Sequence, residues 1–582
     1  SYMMPAAFVT LKFFPLTPNG KIDRRALPPP EAAGRSEGAR ARLAGTQAAL
    51  AAIWVELLGA VEPSQDDRFF DLGGHSLLAT RMVNRVREVL GVKLPIAAVF
   101  GNPTLAELAS AVDAYRRGGS PPPRIPTGGE LDDAPLSFAQ ERIWLAEQFM
   151  PGTPLFNIPI ALEIVGPLQP PLVERCFQEI AARHTVLRTT YELRDGAPRQ
   201  GVSERVTFGV PVIDFVGDAG PGVAAYMDRE AGVPFDLARG PLLRLRLLRL
   251  EADRHILFLI LHHIQTDLWS AGILLEEFLR GYAALREGRE PGLQPPPVQY
   301  ADFARWERGL RADGHLDAQV SFWKKRLAGA DLLFEIPTDR PRPASPSVRG
   351  RVIRERLPRE LAEALHTMRR QEGVTLYVLM LAAFKTLLWR YSGRTDILIG
   401  SDVAVREAPE LQRLIGLLVN QVFLRTDLAG AATFEEVLHR VRDSVLHALA
   451  NRSVPLQVLA EELQAPRGHG AASLFRILFD LQTYQLPEAD GTGFRLLRRD
   501  VDWATAKYDL SLFVEEEAGG LRATLEYNTD LFDESSARRL LAHYELVLDW
   551  TARNPRQPLT ELVLLDERAQ REAAATFNER LE

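Results

Sequence analysis

Apolar positions in residues 46–117 recur at helical spacing, with Leu50, Ile53, Trp54, Leu57 and Leu58 on one face and Leu77, Leu78, Met82, Val86 and Leu90 on another. Thr104 is placed to cap a last helix there, after a short turn. This is the pattern of a compact helical unit. Residues 118–133 (GGSPPPRIPTGGELDD) have glycines, prolines and no apolar periodicity, which marks a linker. Beyond it the pattern mixes two periods. Strands are predicted over 158–165, 242–249, 256–261, 352–357, 397–403 and 521–527. Helices are predicted over 140–149, 172–184, 271–285, 301–310, 320–327, 360–372, 376–391, 434–447 and 534–552. A mixture this long suits two α+β lobes, with the Pro-rich stretch 336–346 near the middle as a candidate separator. No internal repeat is visible.

Two stretches carry candidate chemistry. In 256–270, ILFLILHHIQTDLWS, six consecutive apolar residues read as a buried strand that delivers His262 and His263, with Asp267 following four residues later. An imidazole in a dry place must find partners. Adjacent strand residues point to opposite faces, so only one of the pair can aim into a given cavity. In 71–76, DLGGHS, two glycines bend the chain sharply before Ser76 opens a helix. A serine there serves as an N-cap, but the same position suits an anion such as a phosphodiester, because free N–H groups and the helix dipole favour negative charge. Two glycines also leave the hydroxyl open to an enzyme.

Composition narrows the function classes. At 582 residues the chain holds several domains. A net charge of −7 implies no general affinity for nucleic acid or an anionic membrane. The single cysteine, Cys176, excludes an intrachain disulfide and a cysteine-based zinc site, and it falls in a helical pattern where a small buried residue is expected. With no apolar run of bilayer length, no signal peptide, no Gly-rich phosphate loop, no GxSxG elbow and no HExxH pair, the expectation is a cytoplasmic protein without a metal site.

The first 30 residues contain PLTPNGKIDRRAL, which resembles the C-terminal tail of the adenylation domains of nonribosomal peptide synthetases; Lys21 matches that family's lysine, but most of the parent domain is missing and no adenylation is expected. FFDLGGHSLLATRMV resembles the signature of peptidyl carrier proteins. That resemblance implies a small four-helix bundle with 4′-phosphopantetheine on Ser76, attached by a phosphopantetheinyl transferase and carrying an aminoacyl or peptidyl thioester. It also implies that His75 and Asp71 shape the loop, and that Phe69, Phe70 and Leu77 serve core or partner surface.

The remainder is similar to nonribosomal peptide synthetase condensation domains, within the larger chloramphenicol-acetyltransferase-like group. The matching segments are LSFAQERIW, RHTVLRTTY, LHHIQTDLWS, YADFARW and IGLLVNQVFLR, with weaker matches in NRSVPLQ and SLFRILFDLQ. The resemblance implies an α+β fold of two acetyltransferase-like lobes, with a tunnel between them open to carriers at both ends. The implied division is 1–31 adenylation tail and linker, 40–117 carrier, 118–133 linker, 134–305 N-terminal lobe, 306–570 C-terminal lobe and 571–582 a link towards a following adenylation domain.

The family's tunnel histidine maps onto His263, as general base or as positioner of the amine; His262 turns away, and Asp267 holds the loop through an arginine, with Arg142 and Arg188 as candidates. Asn420 is expected to line the tunnel, and Trp144, Trp269 and Trp306 to pack. Three departures bear on the pocket. Leu268 stands where the family has glycine, Gln421 replaces a common threonine, and the segments around Asn451 and Gly468 lack the usual acidic and Arg-Asn features.

The function implied is amide-bond formation between a donor thioester and the amine on a downstream acceptor carrier, within a pathway to a secondary metabolite such as an antibiotic or siderophore. Partners are an upstream adenylation domain and downstream adenylation and acceptor carrier domains. The histidine pair disfavours heterocyclisation. The carrier follows the adenylation tail directly, which points to an L donor and L acceptor. The alternatives are an epimerisation-type homologue and a catalytically silent docking scaffold.

Overall fold

The computed structural model describes residues 43–564 apart from 60–62, 75, 93, 95–97, 100, 101, 103, 119–123, 218–219, 344–346, 464–473, 483–486 and 518–519. The adenylation-like tail with Lys21, His75, the segment around Gly468 and the link at 571–582 therefore lie outside the described residues.

The helical unit forms α1 (Thr46–Leu58), α2 (Ser76–Leu90) and α3 (Leu105–Gly118). Ala98 and Val99 are also helical, between α2 and α3. Leu50, Ile53 and Trp54 meet Met82, Val86, Leu105, Leu108 and Val112 in a core of their own. Phe69 wedges edge-on against Trp54, with ring centroids 5.3 Å apart. At the start of α3 Thr104 caps the helix as expected, and Glu107 completes a capping box: Glu107 N–H donates to Thr104 Oγ1 at 3.2 Å, and Thr104 N–H donates to the Glu107 carboxylate at 3.1 Å.

After the linker come β1 (Ala134–Pro135), α4 (Phe138–Phe149), β2 (Asn157–Val165), α5 (Pro170–Arg183), β3 (Thr189–Arg194), β4 (Ala197–Val202), β5 (Val212–Asp214), α6 (Pro221–Ala231), β6 (Leu243–Glu251), β7 (Arg254–His262) and α7 (Leu268–Arg286). The second half holds α8 (Tyr300–Ala312), α9 (Asp317–Leu327), β8 (Gly350–Arg356), α10 (Arg359–Gln371), α11 (Leu376–Ser392), β9 (Asp396–Ala404), β10 (Val419–Asp427), α12 (Phe434–Ala450), α13 (Leu456–Glu462), β11 (Ile477–Gln482), β12 (Arg495–Arg499), β13 (Leu510–Glu517), β14 (Gly520–Asn528) and α14 (Glu534–Arg553). The first lobe is built on a five-stranded sheet, β12-β2-β7-β6-β5, and the second on a six-stranded sheet, β10-β9-β11-β13-β14-β8. Every predicted strand and helix is present within a few residues.

β7 explains its unbroken apolar run. Leu257, Leu259 and Leu261 point into the main core of the first lobe, and Ile256, Phe258 and Ile260 point into a second cluster with Val223 and Met227 of α6. Both faces are covered, so no alternation is needed.

Two crossings tie the lobes together. β12, from the second half of the chain, adds an edge strand to the first lobe by pairing antiparallel with β2. The loop between β9 and β10 leaves the second sheet and buries Leu411, Leu414, Ile415, Leu417 and Leu418 in the first lobe's core. The Pro-rich stretch is not the separator: Phe334 and Ile336 already belong to the second lobe's core, and the change of core falls between Phe303 and Leu316. Among the described residues no single helix is long and apolar enough to cross a membrane.

Candidate active site between the lobes

β7 ends at His262, whose ring is buried on the side of Phe156 and Phe235. Its Nδ1 accepts from Ile264 N–H at 3.2 Å, which leaves Nε2–H to meet the Glu147 carboxylate at 3.1 Å. Both ring nitrogens are therefore used within the protein. His263 opens a short 3₁₀ turn and so leaves the strand's alternation. Its backbone N–H donates to Phe156 O at 2.8 Å, and its Nδ1–H donates to Thr266 O at 2.8 Å. That bond selects the tautomer with the lone pair on Nε2, at the ring edge that lines the inter-lobe cavity.

Asp267 is buried and caps α7 by accepting from Ser270 N–H at 2.7 Å. It also accepts from Leu418 N–H at 2.9 Å and, on both oxygens, from Arg406 Nη2 at 3.0 and 3.1 Å. Arg406, fully buried, spends Nη1 on the carbonyls of Leu411 and Leu414, each at 2.7 Å, and its Nη2 also reaches Ser270 Oγ at 2.7 Å. An arginine does hold Asp267 in its loop, but it is neither Arg142 nor Arg188. Arg142 lines the cavity instead. Arg188 donates to the Ser203 carbonyl, at the β3–β4 hairpin. Arg406 lies 139 residues from Asp267, beyond the end of β9, and no spacing rule links the two.

The cavity encloses about 290 Å³ and has two unlike walls. The first lobe supplies Leu155, Ile158, Leu268, Ala271, Leu274 and Leu275, and the second supplies Asp402, Gln421, Lys507, Tyr508, Ser511 and Glu526. Gln421, paired across the sheet with Asp402, donates to its carboxylate at 2.8 Å and to Tyr508 Oη at 2.6 Å. Asn420, one residue earlier on β10, faces the other way. Its side chain bonds the carbonyls of Arg452 and Val454 at 2.8 and 2.6 Å and accepts from Leu456 N–H at 3.1 Å. The expected tunnel residue is therefore a structural tie to α13, and strand alternation gives the cavity its neighbour.

Lys507 Nζ lies 5.4 Å from the centre of the Phe156 ring, whose carbonyl holds His263. Lys507, although solvent-exposed, sits in a crowded cleft where partial loss of water lowers its ammonium from the usual range, against the pull of Asp402 and Glu526. Burial also holds the His263 imidazole well below its ordinary 6.5; Lys507 adds to this, the Thr266 bond opposes it, and Arg142 and His262 push the same way. The ring is half-buried and lines the cavity, so the groups around it bias its protonation.

Leu268 is the first residue of α7, 37% exposed and directed at the cavity. Among the described residues only Asp133 and Asp195 are non-glycines with positive φ, so Leu268 takes an ordinary helical backbone. A leucine fits there because no left-handed turn is required, and its side chain occupies volume that glycine leaves open. Trp269 Nε1–H donates to Gln412 O at 3.2 Å, and Trp144 and Trp306 pack against the first-lobe core. Cys176 is buried, its thiol pushed up to about 12 by burial, which suits an inert core residue.

At the other candidate site, Gly73 has φ +98°, and a Cβ on Gly74 would collide with the Phe69 ring, so both turns need glycine. The chain then enters α2, fifteen residues long, at Ser76, with no acidic residue in the first turn to oppose a phosphate. A phosphodiester fits this helix start.

A phosphopantetheine attachment-site model matches residues 48–112, and a condensation-domain model matches residues 130–573. The chain belongs to the condensation-domain family. A linear gramicidin synthase of Brevibacillus parabrevis is 41% identical over 579 residues, covering 98% of this chain but 11% of that protein. The chain thus spans only a small part of the length of this relative. The X-domain from teicoplanin biosynthesis aligns with a TM-score of 0.69 at 26% identity, over 76% of this chain and all of that one, and has also been solved in complex with OxyB. The first condensation domain of the CDA synthetase, at 22% identity and a TM-score of 0.66 over 74% of this chain and 99% of that one, shares the fold. The chain is a carrier and a condensation domain of a nonribosomal peptide synthetase, a domain type that forms amide bonds, and its carrier's covalent cofactor is 4′-phosphopantetheine.

A depressed His263 is neutral at pH 7, and acidification removes its lone pair only well below 6.5. Single-turnover condensation should hold level through pH 6.5 and decline further into acid. In Lys507→Gln, which removes a positive neighbour, the limb should move up towards the ordinary histidine value.

Proposed function

We propose that this pair joins a donor acyl group held on Ser76 to the amine of an acceptor aminoacyl group brought by a downstream carrier, with His263 at the reacting atoms. The observation that carries this reading is the opposed use of the two histidines: His262 has both nitrogens bound within the protein, while His263 is fixed through Nδ1 with Nε2 left for the cavity. Bound to the carrier, phosphopantetheine supplies a thiol that activates the acyl group as a thioester. His263 then does two things. Its lone pair orients the incoming amine, and as the C–N bond forms and the thioester C–S bond breaks it takes the proton from the nitrogen and returns it to the departing thiolate, leaving amide and free thiol. Because its basicity is depressed, orientation precedes proton uptake. Asp267, saturated by four hydrogen bonds, is a positioning residue, as are Arg406 and His262.

The apolar wall at Leu268, Ala271, Leu274 and Leu275 suits an apolar acyl side chain. An L donor and L acceptor fit the order of an adenylation-like tail, carrier and condensation domain with no epimerase between. The expected partners are an upstream adenylation domain, downstream adenylation and acceptor carrier domains, and a phosphopantetheinyl transferase, with the pair working in the cytoplasm. A scaffold role is the second reading, favoured by the likeness to the X-domain solved with OxyB.

Four outcomes test this. With Ser76 loaded and an aminoacyl acceptor carrier added, mass spectrometry should find dipeptidyl thioester on the acceptor; its absence favours the scaffold, and deuterium exchange at the donor α-carbon without peptide favours epimerisation. His263→Ala should lower the rate by roughly 10²–10⁴-fold while Ser76 loading is unchanged, whereas Ser76→Ala should show no phosphopantetheine mass shift. Leu268→Gly should raise kcat/KM for a tryptophanyl relative to an alanyl donor by about tenfold, in line with discrimination by pocket volume.

A further inference from the structure

α2 of the carrier lies against the condensation domain through a face separate from its own core. Arg81 and Asn84, three residues apart, share that face. Asn84 is completely buried, and its Nδ2 donates to the backbone carbonyl of Arg406 at 2.7 Å. The Arg81 guanidinium stands 5.7 Å from the centre of the Trp269 ring, and the Arg406 guanidinium stands 5.3 Å from the same ring. Arg85, on the flank of α2, is instead held inside the carrier by Glu56 at 2.8 Å. Trp269 belongs to the first lobe and Arg406 to the second-lobe loop, so the carrier touches both sides of the seam.

We propose that seating of α2 on the Trp269–Arg406 pair positions the His263 loop, so that the docked carrier promotes condensation whether or not it holds the donor. This rests on the function proposed above. The chain of contacts is short: Asn84 fixes the backbone of Arg406, Arg406 holds both oxygens of Asp267, and Asp267 caps α7 directly after the turn that carries His263. Trp269, the second residue of α7, is held from outside by Arg81 and by its own bond to Gln412 O. The two states are the seated carrier and the released carrier, and the seated state favours the complete Arg406–Asp267 arrangement.

The test uses the full chain before phosphopantetheinylation, so that the carrier is present but delivers nothing. The donor is the L-leucyl thioester of pantetheine, free in solution, and the acceptor is a separate carrier loaded with L-alanine. Asn84→Leu and Arg81→Glu should each lower kcat for this soluble donor by roughly tenfold with KM little changed, and Arg81→Lys, which keeps a cation over Trp269, should restore it. Normal Ser76 loading by a phosphopantetheinyl transferase reports a folded carrier in each variant. Unchanged kcat with the soluble donor overturns the inference, even where condensation of a Ser76-bound donor is slowed, since that result describes delivery alone. Absence of peptide from the unaltered chain counts against the proposed function instead.

Discussion

The loop bearing His263 depends on one buried ion pair, Asp267 with Arg406. Each charge loses water on burial, a penalty of several kcal/mol per ion unless protein groups replace the hydration. Here they do. Asp267 receives donors from Ser270, Leu418 and Arg406, and Arg406 reaches two carbonyls and a hydroxyl besides. Asp267 and Ser270 come from the first lobe, whereas Arg406, Leu411, Leu414 and Leu418 come from the loop that the second lobe inserts into it. The pair ties that inserted loop to the start of α7. Removing either partner would leave an uncompensated buried charge, typically a loss of about 3–5 kcal/mol. The pair therefore fixes where the His263 loop stands relative to the second lobe's wall.

That wall sets the chemistry. An imidazole left with water on one side would titrate near 6.5, partly charged at pH 7 and less able to accept. Burial comes first in holding His263 neutral, and Lys507 across the cavity adds a repulsive charge. Lys507 is itself moderated by Asp402 and Glu526, so the second lobe offers a balanced polar surface rather than a strong field. The first lobe offers aliphatic surface. A reacting amine meets the His263 acceptor between these two surfaces.

Much of this was legible in the sequence, and the gaps have physical reasons. Long apolar runs and amphipathic stripes marked β7, α7, α11 and α14 because burial on one or both faces fixes their pattern. β12, read as RLLRR, gave no such signal: it is an edge strand whose arginines pair with Glu163 and Glu515 rather than with a core. The different orientations of His262 and His263 were expected from strand alternation, but the strand ends at His262 and the 3₁₀ turn beginning at His263 is what separates them. Asn420 failed under the same rule, because the resemblance pointed to a segment and only the sheet register shows which of its residues faces inward. Arg406 was invisible for a different reason. Its partner is 139 residues away in another lobe, and local sequence carries no trace of such a pairing, whereas Arg142 and Arg188 lay in segments that matched the family. Lys507, Asp402 and Glu526 were hidden likewise, being ordinary strand-end and loop residues until two sheets close over one space.

Leu268 shows how these levels connect. Glycine, the family's residue at this position, permits positive φ and close backbone approach, both of which leucine resists. The backbone here is helical, so the difference between the two residues reduces to side-chain volume at the cavity wall. Leu268 sits between Asp267, which anchors the loop, and Trp269, which the carrier's Arg81 covers. A larger residue there narrows the cavity without disturbing the anchor, because the hydrogen bonds of Asp267 involve backbone and Arg406 but not the Leu268 side chain. Substrate choice can therefore vary at one position while the geometry that holds the histidine stays fixed.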